Sequence, residues 1–374
     1  MEIPRKRKKI IGCIAGVLTI LFIVLSRLFP GAVETVYVGY VFPAIRFTFD
    51  HTLSLIPLPW VYVLAAWIIF RIIRSFVRQR RELRGAGLWM KFKSGGLSVL
   101  GFLGWSLFAF YFLWGFNYSR PDLGKKVSFL KDETEAGFIM EAYSALFDVN
   151  EDRDKMGLDS LDTLTDHHIP DTILIHMRRQ VKIAMEKLGI PAYGNPVVKY
   201  LYPEEVLGSF CASGVYIPFT GEAYVEGKLP PLSRPFIIAH ELSHAFGIAS
   251  ELDANFIAWL ACRNSSLPVV RYSGDMEFLD QSRRDLKFSD SLRGAEFTKN
   301  LPPGIAKDFH NRNQGFESHH TFLSRLNLHG NVFNAFLKTQ GQKLGIKGYG
   351  MFSSYVRQWK KIKESQPEVY QLTP

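Results

Sequence analysis

A chain of 374 residues, 47% of them apolar and 14% aromatic, has room for a membrane part and one domain with its own core. Its net charge of +10 is unevenly spread: residues 1–117 carry 15 Lys/Arg against 4 Asp/Glu, and the remainder carries 30 against 31. A near-neutral main domain lacks the basic footprint of a DNA- or RNA-binding protein, so no nucleic-acid partner is expected.

Three apolar blocks come first. Residues 10–29 ("IIGCIAGVLTILFIVLSRLF"), 56–73 ("IPLPWVYVLAAWIIFRII") and 96–116 ("GLSVLGFLGWSLFAFYFLWGF") have the length and composition of transmembrane helices. The first is longer than a signal peptide requires, and no small-residue cleavage site follows it. "RKRKK" precedes the first block, and eight basic residues lie from Arg71 to Lys93, whereas Arg46 is the one basic residue between blocks one and two. The positive-inside rule therefore predicts a cytoplasmic N-terminus, three crossings and an extracytoplasmic domain over 118–374, with 1–117 as the membrane domain. Residues 30–55 read as an aromatic-rich outer loop at the interface.

After an exit linker at "NYSRPDLG", residues 133–147 have helical periodicity, and "DVNEDRDKMGLDS" reads as a solvated acidic loop whose Asp spacing fits no calcium loop. Residues 171–188 predict an amphipathic helix ending at Gly189, and "PVVKYLY" and "GVYIPF" are strand-like. Ser233 and Pro235 open a further helix, in N-cap and first-turn positions. The chain after Cys262 is expected to be mainly helical. Together these predict an α+β domain. Of the cysteines outside the membrane blocks, Cys211 and Cys262, two buried thiols are the expected state, although an oxidising compartment permits a disulfide.

The chemistry is concentrated in "RPFIIAHELSHAFGIASELDANFIAW", Arg234 to Trp259. His240 and His244 are one helical turn apart and project from the same face, so both imidazoles can reach one Zn2+ ion. Glu241 lies beside them, where a general base takes a proton from water at the metal. Gly247 turns the chain, and Ser250 caps a second helix with Asp253 as its capping-box partner. That duty leaves Glu251 as the first candidate for third ligand and Asp253 as the second. Asn255, four residues beyond Glu251, is expected to orient a ligand carboxylate. Tyr272 is the first candidate for an oxyanion donor, ahead of His310, His319 and His320. The adjacent pair His319 and His320 is a poor second metal site, because sequence neighbours rarely share one ion.

HELSH followed by Glu251-x-x-Ala254-Asn255 resembles the gluzincin branch of the zincin metallopeptidases. The "HxxG" turn also resembles that of metzincins, but their third histidine would fall at position 250, which is Ser. Over nearly its whole length the chain resembles an uncharacterised bacterial family of membrane-anchored proteins, catalogued as a domain of unknown function. The matching stretches are "GVYIPFTGEAYV", "PFIIAHELSHAFGIASELDANFIAWLAC", "RYSG" and "AFLKTQGQKLGIKGYG". The chain departs from the expected family pattern at Asp253, in place of Glu, and at Tyr224, in place of Asn.

The resemblance implies a zincin-like fold whose edge strand pairs with an extended substrate by β-augmentation. The matching residues are Gly214, Val215, Tyr216, Ile217, Pro218 and Phe219, and an ordinary sheet strand ending in a turn is the alternative. The expected protein is a zinc metallopeptidase in the bacterial inner membrane, with its catalytic domain in the periplasm or outside the cell and a peptide or protein as substrate. Cell-wall amides or esters are a further substrate class that the same residues could hydrolyse. A non-catalytic zinc-binding envelope protein, acting in partner binding or sensing, is the alternative from another class.

Overall fold

The computed structural model describes the chain except for residues 1–4, 83, 86, 122, 127–134, 160, 205, 208–211, 318–334, 336–338, 340–345 and 366–374. The chain divides into two compact units, Met1–Arg120 with Ile217–Glu222, and Pro121–Tyr216 with Ala223–Pro374.

The first unit is helical. Helix α1 (Arg5–Leu28) is followed by a short turn of helix, α2 (Pro30–Ala32), a π-helical stretch (Val33–Val41) and α3 (Phe42–Asp50). Helices α4 (Trp60–Glu82) and α5 (Leu88–Leu113) follow, with short 3-10 turns at Leu53–Leu55 and Gly115–Ser119. Segments Arg7–Leu28, Trp60–Arg81 and Leu88–Leu113 are long and apolar enough to cross a membrane. Helices α4 and α5 run on through Arg71–Arg81 and Lys91–Lys93, beyond the apolar blocks, because long basic side chains can extend away from an apolar helix surface.

Glycines bring α1 and α5 into backbone contact: a Cβ on Gly104 would lie 2.0 Å from the Gly12 carbonyl oxygen, and one on Gly12 would lie 2.3 Å from that of Gly101. The expected outer loop at 30–55 is instead mostly helical. Its inner face buries Val33, Tyr37, Val38, Phe42 and Arg46, a spacing that single-sequence reading masked because aromatic residues line both faces. Arg46 is held by Asp50 (2.9 Å) and donates to the Gly221 carbonyl (2.6 Å).

The second unit is mainly helical with a small sheet. Its helices are α6 (Leu123–Lys126), α7 (Glu135–Met156), α8 (Ile173–Lys187), α9 (Arg234–Ala245), α10 (Glu251–Arg263), α11 (Pro268–Ser289), α12 (Ser291–Lys299) and α13 (Pro303–Glu317), followed by a C-terminal helix over Ile346–Ser365. The strands are β1 (Val198–Leu201), β2 (Gly214–Ile217) and β3 (Glu222–Glu226), in the order β1-β3-β2. β1 runs parallel to β3 with Val198 opposite Ala223 and Leu201 opposite Glu226. β2 is thus at an edge of this sheet.

β2 stops at Ile217, which corrects the expectation of strand through Pro218 and Phe219. Pro218 has no N–H to give a ladder. Thr220 and Gly221 both donate to the Ile217 carbonyl (3.1 and 3.0 Å), and Gly221 takes φ 66° to close the turn.

The core sits where α8, α9, α10 and α11 meet, with Met177, Val181, Ile238, Leu242, Phe256, Trp259, Met276 and Leu279 all buried. Most of the stretch expected as a solvated acidic loop, residues 148–156, forms the last turns of α7. Asp148, Asp152 and Arg153 are buried there: Arg263 binds Asp148 (2.9 Å), Arg271 binds Asp152 (2.7 Å) and Arg153 binds Asp308 (2.6 Å). Their partners lie more than a hundred residues away along the chain, so local charge density misreads them as solvent-facing.

Candidate metal centre

Helix α9 carries the two histidines on a body that is otherwise core. Phe236, Ile238, Ala239, Leu242 and Ala245 are buried, which fixes the rotation of the helix and hence the direction of His240 and His244. Ser233 stands at the expected N-cap position but makes no cap hydrogen bond; its backbone is already helical, at φ −89° and ψ −16°. Ser273 on α11 does that work instead. Its hydroxyl accepts from the Phe236 N–H (3.2 Å) and donates to the Leu232 carbonyl (2.5 Å).

The C-terminus of α9 closes in a Schellman motif. Gly247, at φ 95°, donates to the His244 carbonyl (2.9 Å), and Ile248 donates to the Ser243 carbonyl (3.0 Å). This turn presents the Ile248 carbonyl to His244, whose Nδ1–H donates to it at 2.7 Å. In the neutral ring the lone pair is then on Nε2.

Helix α10 begins after five intervening residues, Ala249 and Ser250 following the turn. Ser250 accepts from the Asp253 N–H (3.2 Å), the expected cap, and so Glu251 occupies the first turn. Its Oε2 lies 3.2 Å from His240 Nε2 and 3.6 Å from His244 Nε2, and the two Nε2 atoms are 3.1 Å apart. His240, His244 and Glu251 each offer a ligand atom to one group that could hold a metal ion. Three donors on a shared tetrahedral zinc ion, with bonds of about 2.0–2.1 Å, stand about 3.3 Å apart. The observed separations bracket that value.

The electrostatics agree with a cation between these atoms. Two imidazole lone pairs and a carboxylate aimed at one point repel unless a proton or a metal ion lies among them. Burial lowers the pKa of His244, but Glu251 and, less strongly, Glu241 outweigh it and take it up to about 9. Burial raises that of Glu251, yet the two imidazoles hold its carboxyl well below the usual range. His240 Nδ1 is buried with no hydrogen-bond partner among the described residues. The centre is graded in exposure, from 8% for the His244 side chain through 16% for His240 to 33% for Glu251, so its Glu251 side reaches solvent.

Glu241 is buried, and burial pushes its carboxyl up while the two imidazoles pull it down. It packs against Gly214 of β2: a Cβ there would lie 2.6 Å from Glu241 Oε1 and 2.5 Å from its Cγ. Glycine lets the strand backbone come this close.

The other candidates fall as follows. Asp253 is buried, accepts from the Leu123 N–H (3.1 Å) and lies outside the three-residue group. Asn255 is half-buried on α10. Tyr272 is fully buried and donates to Asp308 (2.7 Å) beside Arg153 (3.3 Å). Burial and Asp308 raise its pKa well above the ordinary value. Its hydroxyl thereby donates into the buried ion pair of Asp308 and Arg153, away from the expected use as an oxyanion donor. His310 is exposed, while His319, His320 and Cys211 lie outside the described residues. Cys262 is a buried free thiol.

The "RYSG" stretch makes hydrogen bonds and close packing within the core. Tyr272 anchors Asp308, Ser273 caps α9, and a Cβ on Gly274 would lie 2.5 Å from that of Cys262 on α10. Sequence reading missed Ser273, because nothing local marks a serine that caps another helix.

A family model described as a protein of unknown function (DUF3810) matches residues 37–356. No curated protein and no solved structure matches the chain. The chain belongs to the DUF3810 family.

Proposed function

We propose that this protein is a membrane-anchored, zinc-dependent hydrolase of zincin type that cleaves amide bonds in peptides. The observation that carries the reading is the convergence of His240 Nε2, His244 Nε2 and Glu251 Oε2 within tetrahedral spacing, with a buried glutamate next to the first histidine. A structural zinc site is closed by four protein ligands, whereas among the described residues this group supplies three.

Zinc held by these three residues would supply Lewis acidity toward a carbonyl oxygen and toward water. Glu241, whose carboxyl is raised by burial, takes the proton of the attacking water and delivers it to the leaving nitrogen. Gly214 keeps the β2 backbone against that carboxylate, and β2, at an edge of its sheet, offers backbone groups to an extended substrate from Gly214 to Ile217. Asn255 orients the Glu251 carboxylate. The excess of basic residues before the first apolar block and over 71–93 supports a cytoplasmic N-terminus and an extracytoplasmic domain from about residue 118.

The test compares purified full-length wild type with Glu241→Gln on a mixed peptide library, with zinc content measured in both. Hydrolysis by wild type and its loss in a variant that keeps zinc support the reading. Equal hydrolysis, or none in a zinc-loaded wild type, favours a non-catalytic zinc protein.

A further inference from the structure

The basic residues of the first unit do more than set a charge balance, because the fold gathers them at one end. Lys9 on α1 reaches Ser94 on α5, with its Nζ 3.3 Å from the hydroxyl and 3.4 Å from the carbonyl oxygen. Gln79 on α4 donates to the Lys91 carbonyl of α5 (3.4 Å). The start of α1, the end of α4 and the start of α5 therefore meet. Arg7, Lys8, Arg80, Arg81, Arg84, Lys91 and Lys93 are exposed there.

A second feature is interleaved with these charges. Trp89 is 77% exposed and Phe92 75% exposed, and their rings stack with centroids 6.5 Å apart. Leu88 and Met90 beside them are also exposed. Such a run of apolar side chains, flanked by cations, is costly in water. The same end continues into the outward-facing apolar surface of α4.

We propose that this end of the helical unit is a binding surface for anionic phospholipid headgroups. Arg80, Arg81, Arg84, Lys91 and Lys93 would contact phosphate, and Trp89 and Phe92 would insert at the level of the glycerol backbone. A topology signal alone requires basic residues but no exposed aromatic pair. Guanidinium groups bind phosphate oxygens two at a time, and aromatic rings favour the boundary between headgroup and hydrocarbon. An RNA or an acidic protein would match the charges, but it would leave Leu88, Met90 and the α4 surface in water. The proposal is independent of the metal centre and rests on α1, α4 and α5 crossing a membrane.

The experiment uses the full chain in mixed micelles of a non-ionic detergent with equimolar phosphatidylglycerol and phosphatidylcholine. Lipid retained through gel filtration is quantified by mass spectrometry. Wild type is expected to retain phosphatidylglycerol preferentially. Each basic contact at such a surface contributes about fivefold, so Arg80→Gln/Arg81→Gln and Lys91→Gln/Lys93→Gln should each cut the preference sharply and together reduce it to the roughly fivefold that Arg84 supplies. Trp89→Ser/Phe92→Ser should lower total lipid retained with the charges intact. Unchanged elution volume and thermal unfolding identify variants that remain folded, and the separate pairs provide independent readings. No preference in wild type, or a preference that both charge pairs leave intact, overturns the proposal. So does displacement of the lipid by polyglutamate or an RNA oligonucleotide when Trp89→Ser/Phe92→Ser behaves as wild type, because the surface would then bind polyanions generally.

Discussion

Gly214 and Glu241 occupy adjoining space, with no room for a methyl group between the β2 backbone and the glutamate side chain. Gly214→Ala should displace the buried carboxylate and leave the three candidate ligands in place. A shift of about 1 Å in a catalytic group can cost on the order of 100-fold in rate, and overpacking costs about 1–3 kcal/mol. The expected result is wild-type zinc content, a lower melting temperature and strongly reduced hydrolysis, read by metal analysis, calorimetry and peptide cleavage.

Glu251 and Asp253 separate cleanly by metal content. Glu251→Ala removes a donor that lies 3.2 Å from His240 Nε2, so bound zinc should fall well below one equivalent. Asp253→Ala removes the acceptor of the Leu123 N–H and should cost about 1–3 kcal/mol of stability with zinc retained. Elemental analysis after gel filtration, alongside thermal unfolding, checks both. The opposite pattern would make Asp253 the ligand.

Gly247→Ala forces an L-residue to φ 95°, a strain of about 1–2 kcal/mol. If the turn relaxes, the Ile248 carbonyl leaves His244. Loss of such an outer contact lowers metal affinity about 10–100-fold. A competition titration against a chromophoric zinc chelator measures the change.

Stability of the chelator-treated protein should fall as pH rises. His244 has its pKa raised from 6.5 to about 9, so its contribution is complete below pH 6.5 and is lost as pH rises through about 9. Burial pushes the Glu241 carboxyl up, so its ionisation subtracts stability in the same direction. Glu251 works at the other end. Its lowered pKa gives a contribution that is complete above pH 4.5 and lost as pH falls through the depressed value. Zinc bound as proposed would displace the His244 proton, so its apparent affinity should increase up to about pH 9. Thermal melts across pH and calorimetric proton release test this.

Tyr272→Phe should leave zinc content and hydrolysis unchanged and destabilise the fold by about 1–3 kcal/mol, since it strips a donor from buried Asp308. A variant as stable as wild type that had lost hydrolysis would return Tyr272 to the chemistry.

How much was legible in the sequence follows the range of the interactions. The spacing of His240 and His244, the Gly247 turn and the Ser250 cap are written within one or two helical turns, and local periodicity suffices to read them. The three apolar helices are legible because a bilayer demands long uninterrupted apolar runs. What escaped is set by contacts across the chain. Asp148 and Asp152 resemble solvated residues until Arg263 and Arg271 are brought to them. Ser233 resembles a cap, but Ser273 from α11 performs that function. Pro218 ended β2 earlier than its apolar neighbours suggested.

The partner that steers His244 is a peptide group rather than a side chain. An alanine scan would therefore pass along the Ile248 end of the ring without detecting it, since every residue type has a carbonyl. The vulnerability is displaced onto a torsion angle, and replacing the amide between Ile248 and Ala249 with an ester would weaken the acceptor while altering no side chain. Mutational tolerance at position 248 is accordingly a poor guide to how tightly the imidazole is held.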